Sequence, residues 1–185
     1  KAITEFDFTN IEELGEVSFY GCNGLSDLKI PAGLKEIPVY CFCGCTGLSS
    51  LEIPETIEKV RGSAFSDCTG IKELTMPVDL DYVKTYSSKD GYSSFKNCEN
   101  IEKITYSKGK TGTMPDIKRG SASYYTAEYY AGKNLTTVEF EEGVKNIGAR
   151  AYYVYKDPAD SKYKYGMPKL KNVKLATTAV SYTHL

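Results

Sequence analysis

Apolar residues recur along this chain at an interval of 23 positions. Phe19, Phe42 and Phe65 are spaced this way, and so are Cys22, Cys45 and Cys68. Leu25, Leu48 and Ile71 follow the same step, as do Leu28, Leu51 and Leu74, then Ile30, Ile53 and Met76, then Pro31, Pro54 and Pro77. The unit reads Phe-x-x-Cys-x-x-Leu-x-x-Leu-x-Ile-Pro-x-x-Leu-x-x-Ile, followed by four variable residues. Self-similarity at a fixed period of this length is the mark of a repeat architecture.

The spacing within one unit predicts its elements. Leu28-Lys29-Ile30 alternates apolar and polar, as a short strand does, and proline then closes the strand because it cannot donate to a ladder. Leu34 and Ile37 are three apart, as are Phe42 and Cys45, which predicts turns or short helices on the return path. One unit cannot bury its inner face alone. Units stacked with a step of about 4.8 Å between paired strands can, and equivalent residues then form ladders of Phe, Cys and aliphatic side chains.

The pattern runs beyond the three regular copies. Upstream, Ile3, Phe6, Phe8, Ile11 and Leu14 fit a copy with one residue deleted. Downstream, Phe95, Cys98, Ile101, Ile104 and Tyr106 make a further copy, and Tyr129, Leu135, Val138, Phe140, Val144 and Ile147 another, with Gly132 in the Cys place. Tyr152, Leu170, Val173 and Leu175 form a degenerate last one. The expected organisation is a single solenoid domain over residues 1–178, of about six to seven repeats, with a tail at 179–185 outside the pattern.

The residues Phe19-Tyr20-Gly21-Cys22-Asn23-Gly24-Leu25 and Leu28-Lys29-Ile30-Pro31, repeated from Phe42 to Pro54 and from Phe65 to Pro77, resemble the BspA-like leucine-rich repeats of bacterial surface proteins. The resemblance covers about residues 3–175. It implies an α/β repeat solenoid: a right-handed leucine-rich repeat array with short parallel strands on one face and turns or short helices on the other. It further implies a secreted or cell-surface location and binding to other proteins or host material. The family has no shared catalytic residues to carry over.

Departures from the period are where a repeat protein is free to carry function, because insertions become loops on one face. From the Ile position to the Phe position is five residues in regular copies, but twelve from Val83 to Phe95 and twelve from Ile117 to Tyr129. From Tyr152 to Leu170 is eighteen where six is regular. These spacings place the insertions at 84–94, 118–128 (within a wider irregular stretch, 107–128) and 153–166. Thirteen of the sixteen tyrosines lie between Tyr82 and Tyr165, which concentrates them in these segments. Tyr with Ser and Gly is the composition of adaptable binding loops: large contact area at low entropy cost, on a compliant backbone. The candidate binding residues are Tyr86, Tyr92, Arg119, Tyr124, Tyr125, Tyr153, Tyr155, Tyr163 and Tyr165. The same rings would equally serve to cover the convex edge or cap the end of the array. The polar stripe of outward strand residues, from Asp27 and Lys29 to Asn172 and Lys174, ranks lower because it lacks aromatic and Arg anchors.

Charge narrows the partner. There are 23 basic and 24 acidic residues, and this balance argues against nucleic acid, whose binders carry a basic excess. The distribution is uneven: residues 1–80 hold 13 acids and 6 bases, whereas 81–185 hold 11 acids and 17 bases. No run approaches the roughly 18 apolar residues of a membrane helix. Lys1 opens directly on patterned sequence without a secretory leader, the expectation for a mature or trimmed segment, and the missing polar cap after Ala179 predicts that further repeats or another domain follow.

Candidate chemistry is sparse. One histidine, His184, excludes a multi-His metal site, and pairing it with Cys43 as a nucleophile dyad has no support. Cys41-Phe42-Cys43-Gly44-Cys45 lacks the two-residue spacers of a zinc knuckle. Gly109-Lys110-Thr111-Gly112 lacks the glycine spacing and context of a phosphate loop. The six cysteines read as small buried thiols. No catalytic residue, metal site or cofactor is assigned. The expected function is a non-enzymatic protein-binding or adhesion module, with a glycan-binding accessory domain as the alternative and a structural spacer as the second.

Overall fold

The computed structural model describes residues 3–82, 92–115, 134–148 and 169–175, together with the backbone of a strand at 181–182. Every pairing between its strands is parallel. The principal sheet has five strands: β2 (Ser50–Glu52), β4 (Glu73–Pro77), β6 (Lys103–Ser107), β7 (Thr137–Phe140) and β9 (Asn172–Lys174), in that order. Its register places Leu51, Leu74, Ile104, Val138 and Val173 on successive rungs, the ladder expected from the repeat. Leu28-Lys29-Ile30, expected as the first strand, has no ladder partner; Leu28 is nonetheless buried and Lys29 exposed, so the alternation survives without the hydrogen bonds.

A second parallel ladder lies where a turn or short helix was expected. β1 (Glu36–Ile37), β3 (Lys59–Val60) and β5 (Asp81–Tyr82) form one sheet, and β8 (Asn146–Ile147) pairs with β10 (Ser181–Tyr182) in another. An isolated bridge joins Thr113 to Asn146, which sets Met114 level with Ile147. The rungs are thus Ile37, Val60 and Tyr82 in one part and Met114, Ile147 and Tyr182 in the other. Two positions differ from the sequence pattern: Tyr82 stands level with Val60 in place of Val83, and Met114 stands level with Ile147 in place of Ile117. The coil after Pro77 is one residue shorter than the regular count and the coil after Tyr106 loops longer, so counting by 23 lands off the rung.

The remainder of the return path is a stack of turns, and the described residues contain no helix. Amides of one coil donate to carbonyls of the next at alternate positions: Val17, Phe19 and Gly21 to Val39, Cys41 and Cys43, then Tyr40, Phe42 and Gly44 to Gly62, Ala64 and Ser66. Left-handed residues precede Phe19, Phe42 and Phe65, with Val17, Tyr40 and Ser63 at φ 64°, 55° and 57°, and follow Phe19, Phe42, Phe65 and Phe95, with Gly21, Gly44, Asp67 and Asn97 at 68°, 76°, 61° and 62°. This alternation turns every second amide toward the neighbouring coil, which a helix could not do because its N–H groups bond within the helix.

The core lies between these faces. Phe19, Phe42, Phe65 and Phe95 stack ring on ring with centroids 5.3, 5.4 and 5.8 Å apart and interplanar angles of 14°, 6° and 8°. Tyr106 and Phe140 stack at 5.2 Å in the column that Ile53 and Met76 begin.

Candidate interaction surface

Along the chain, three rungs of the second ladder stand near the insertions: Tyr82 just before the first, Met114 within the irregular stretch that holds the second, and Ile147 six residues before the third. Tyr86, Arg119, Tyr124, Tyr125, Tyr153, Tyr155, Tyr163 and Tyr165 lie outside the described residues.

Tyr92 lies inside them, where the first insertion rejoins the array. Its amide donates to Ser63 Oγ at 3.1 Å and its carbonyl accepts from the Ser63 amide at 2.9 Å, so the backbone is tied to the preceding coil. The ring is 45% exposed, and Lys96 Nζ lies 3.4 Å from its centroid, a cation–π contact that fixes one face. Beside it Asn97 Nδ2 donates to Asp67 Oδ1 at 2.7 Å. The rim of the turn stack here is aromatic, cationic and amide-bearing. Periodicity could not show Lys96 over the ring, because that contact depends on where the insertion re-enters.

The outward strand face is largely self-neutralised. Lys103 donates to Glu139 at 2.6 Å, and Lys174 pairs with the same carboxylate from the other side. These bonds, Lys103 before Lys174, hold the Glu139 carboxyl below the usual range, and the bond to Glu139 raises Lys103. Exposed pairs of this kind add at most about 1 kcal/mol. Their effect is to leave the stripe with little unpaired charge at its centre.

Gly109-Lys110-Thr111-Gly112 does hold an anion, but one belonging to the chain. The Thr111 amide and hydroxyl both donate to Asp79 Oδ2 at 2.7 Å, and the Lys110 amide to Asp79 Oδ1 at 3.3 Å. The Gly109 amide donates to Glu55 Oε1 at 2.9 Å, and Lys110 Nζ reaches Glu58 at 2.8 Å. Desolvation works to raise the Asp79 carboxyl, but the Thr111 and Lys110 donors outweigh it and the net shift is downward. Gly109 is at φ 64°, and a Cβ there would collide with the Asp79 carboxylate. The loop is a structural clasp between coils.

All six cysteines are free thiols. Cys45, Cys68 and Cys98 donate S–H to the carbonyls of Phe19, Phe42 and Phe65 at 3.2, 3.1 and 3.1 Å, so each thiol sews its coil to the one before. Burial pushes Cys41 and Cys43 up to about 11 and Cys45 to about 12, and raises Cys68 and Cys98 as well. Among the described residues no group of three or more His, Cys, Asp or Glu could hold a metal ion. Ellman's reagent should therefore count six thiols in denaturant, but in the native protein react promptly only with half-buried Cys22. Because the folded thiols titrate above their unfolded value of 9.0, their contribution to stability is complete below pH 9 and is lost as pH rises through 11 to 12. Prompt native reaction of several thiols, or a melting temperature indifferent to pH between 8 and 11, would contradict the buried ladder.

A family model and one solved structure agree with this architecture. A family model described as a BspA type leucine-rich repeat region matches residues 1–111 in 6 copies. The crystal structure of a leucine-rich repeat protein from T. pallidum aligns with 97% of this chain and 70% of its own, at 19% identity and a TM-score of 0.53. A leucine-rich repeat protein from Bacteroides ovatus aligns with 94% of this chain and 60% of its own, at 17% identity and a TM-score of 0.32. No curated protein matches.

Proposed function

The chain belongs to the BspA-type leucine-rich repeat family, and from that premise we propose that it is a non-catalytic protein-binding or adhesion module of a bacterial cell-surface or secreted protein. Leucine-rich repeat domains generally mediate protein interactions, this family is typical of bacterial surface or secreted proteins, and it is typically non-catalytic. No helix among the described residues is long and apolar enough to cross a membrane.

What supports the proposal is that Tyr82, Met114 and Ile147, which stand near the tyrosine-rich insertions in sequence, are all rungs of the second ladder. Loops leaving equivalent rungs emerge on one side of a stacked array. The binding surface is assigned to Tyr86, Tyr92, Arg119, Tyr124, Tyr125, Tyr153, Tyr155, Tyr163 and Tyr165. Rigid aromatic area among Ser and Gly supplies adaptable contacts, and neighbouring Lys and Arg favour an anionic or polar protein surface. The paired charges around Glu139 support ranking the strand face second.

The test is a solid-phase screen against immobilised host extracellular-matrix proteins, with a glycan array in parallel. The chain is expected to retain at least one matrix protein, and shortening all three insertions to regular length should weaken that binding by roughly tenfold or more. Glu139→Gln should leave it unchanged. Retention that survives loss of all three loops, or signal on glycans alone, would exclude this assignment.

A further inference from the structure

Asn23 alone among the asparagines of the chain precedes a glycine, Gly24. The pair forms the centre of a tight turn that the Leu25 amide closes on the Cys22 carbonyl at 3.0 Å. Asn23 is exposed, and neither its carboxamide nor the Gly24 amide has a hydrogen-bond partner among the described residues. This openness belongs to the corner and not to the place of the coil in the array. Thr46 and Thr69 hold the same position in coils with neighbours on both sides, and they are exposed too. The amides of Gly47 and Gly70 after them likewise donate to no backbone carbonyl among the described residues. Other asparagines at the turns are held. Asn97 donates to Asp67, Asn100 to the Thr69 carbonyl and Asn134 to the Glu99 carbonyl, and the residues that follow them, Cys98, Ile101 and Leu135, are fully buried.

We propose that Asn23 is a site of spontaneous deamidation and that its rearranged product loosens the array. The chain supplies the nucleophile, and water is the co-reactant. The Gly24 amide nitrogen attacks Asn23 Cγ, unshielded because glycine has no side chain and free to turn because its backbone is permissive. The bond from Cγ to Nδ2 breaks, and the amide group leaves as ammonia with the proton that Gly24 gives up. Water then opens the resulting succinimide. Addition at Cγ restores the main chain and leaves an aspartate. Addition at the backbone carbonyl carbon leaves an isoaspartate, whose main chain runs through Cβ and Cγ. A Cβ on Gly47 would stand 2.4 Å from the Asn23 carbonyl oxygen and 2.8 Å from that of Leu25, so this turn is the wall on which the next coil rests. Isoaspartate converts the first of these carbonyls into a pendant carboxylate and inserts a methylene into the main chain, and a packing this close has no slack to absorb it. The site stands apart from the insertions, so its chemistry does not depend on what they bind.

Incubation of the full chain in warm, mildly alkaline buffer tests this, read by peptide mapping with mass spectrometry and by methyl transfer from an isoaspartate-specific methyltransferase. Product is expected at Asn23 before any at Asn97, Asn100 or Asn134. The folded chain should react at no less than about a tenth of the rate in denaturant, because no local unfolding is needed to free the turn. Asn23→Thr copies Thr46 and Thr69, so it should fold as the parent does, accept no methyl group at this position and keep its melting temperature through the incubation, while that of the parent falls. A folded chain that stays intact at Asn23 while the denatured chain reacts, a tethered asparagine that reacts first, or a parent melting temperature that holds level as isoaspartate accumulates would each overturn the proposal.

Discussion

Replacing Phe65 with alanine is expected to remove about 3–5 kcal/mol of folding stability, the range for emptying a buried aromatic site. The ring has no exposure and lies between Phe42 at 5.4 Å and Phe95 at 5.8 Å, so no neighbour can collapse into the space without breaking a stack. The backbone around it is committed too: the Phe65 carbonyl accepts the Cys98 thiol, and its amide donates to Ser94. A loss of this size is a large share of the stability of an ordinary domain, about 5–15 kcal/mol in all. Because each coil rests mainly on its neighbours, a defect at Phe65 also weakens the coupling of the coils before it to those after it, leaving Gly109 to Glu55 and Lys110 to Glu58 as bonds that reach past the intervening coil. Urea unfolding followed by circular dichroism should show a lower midpoint and a broadened or two-step transition. Phe6→Ala is the control: it removes the same atoms from a ring already 43% exposed and should cost well under half as much. Equal costs at the two positions would mean that the phenylalanine column does not carry the array.

That column is legible in the sequence because stacking forces equivalent residues into identical surroundings, which holds residue type and spacing together. The main sheet follows for the same reason, since Leu51 and Leu74 can share a rung only if their strands are parallel. The second ladder is not legible. A two-residue strand has no period of its own, and the three-residue step from Leu34 to Ile37 suits a helical turn as well as a bend into a strand. Nor is the turn stack, which sets a β-branched residue, Val17, at φ 64°, a conformation that local preference opposes and the inter-coil hydrogen bonds impose. A coil one residue short after Pro77 and a longer one after Tyr106 shift the count, so Tyr82 and Met114 take the rungs that the sequence reading gives to Val83 and Ile117. The composition of the loops is plain in the sequence, but the clasp on Asp79 joins residues 31 and 32 positions apart through side-chain geometry that no spacing encodes.

The corner before each buried leucine or isoleucine yields the second large effect. Gly47 and Gly70 hold this place in two regular copies, and Asn100 and Asn134 in the next two. A Cβ on Gly70 would stand 2.5 Å from the Leu48 carbonyl oxygen and nearer still to that of Thr46. Both are backbone atoms of the preceding coil, so they cannot swing aside. Where asparagine stands, its Nδ2 donates to the corresponding carbonyl, Asn100 to Thr69 and Asn134 to Glu99, each at 2.9 Å. The coils there come from longer repeats, and the Phe65 to Phe95 spacing of 5.8 Å exceeds the 5.4 Å of the pair before it. Gly70→Ala is therefore expected to force two coils apart and cost about 1–3 kcal/mol, the range for overpacking a tight interior. Asn100→Ala should cost less, about 0.5–1.5 kcal/mol for one hydrogen bond at an exposed position. The glycine is needed for approach rather than for φ, since Gly70 is not in the left-handed region. Alanine at an open turn glycine would gain stability by restricting the unfolded chain. A Gly70→Ala variant that melts at or above the parent temperature would mean that the coils yield at this corner, and the close packing argued for the whole array would fail with it.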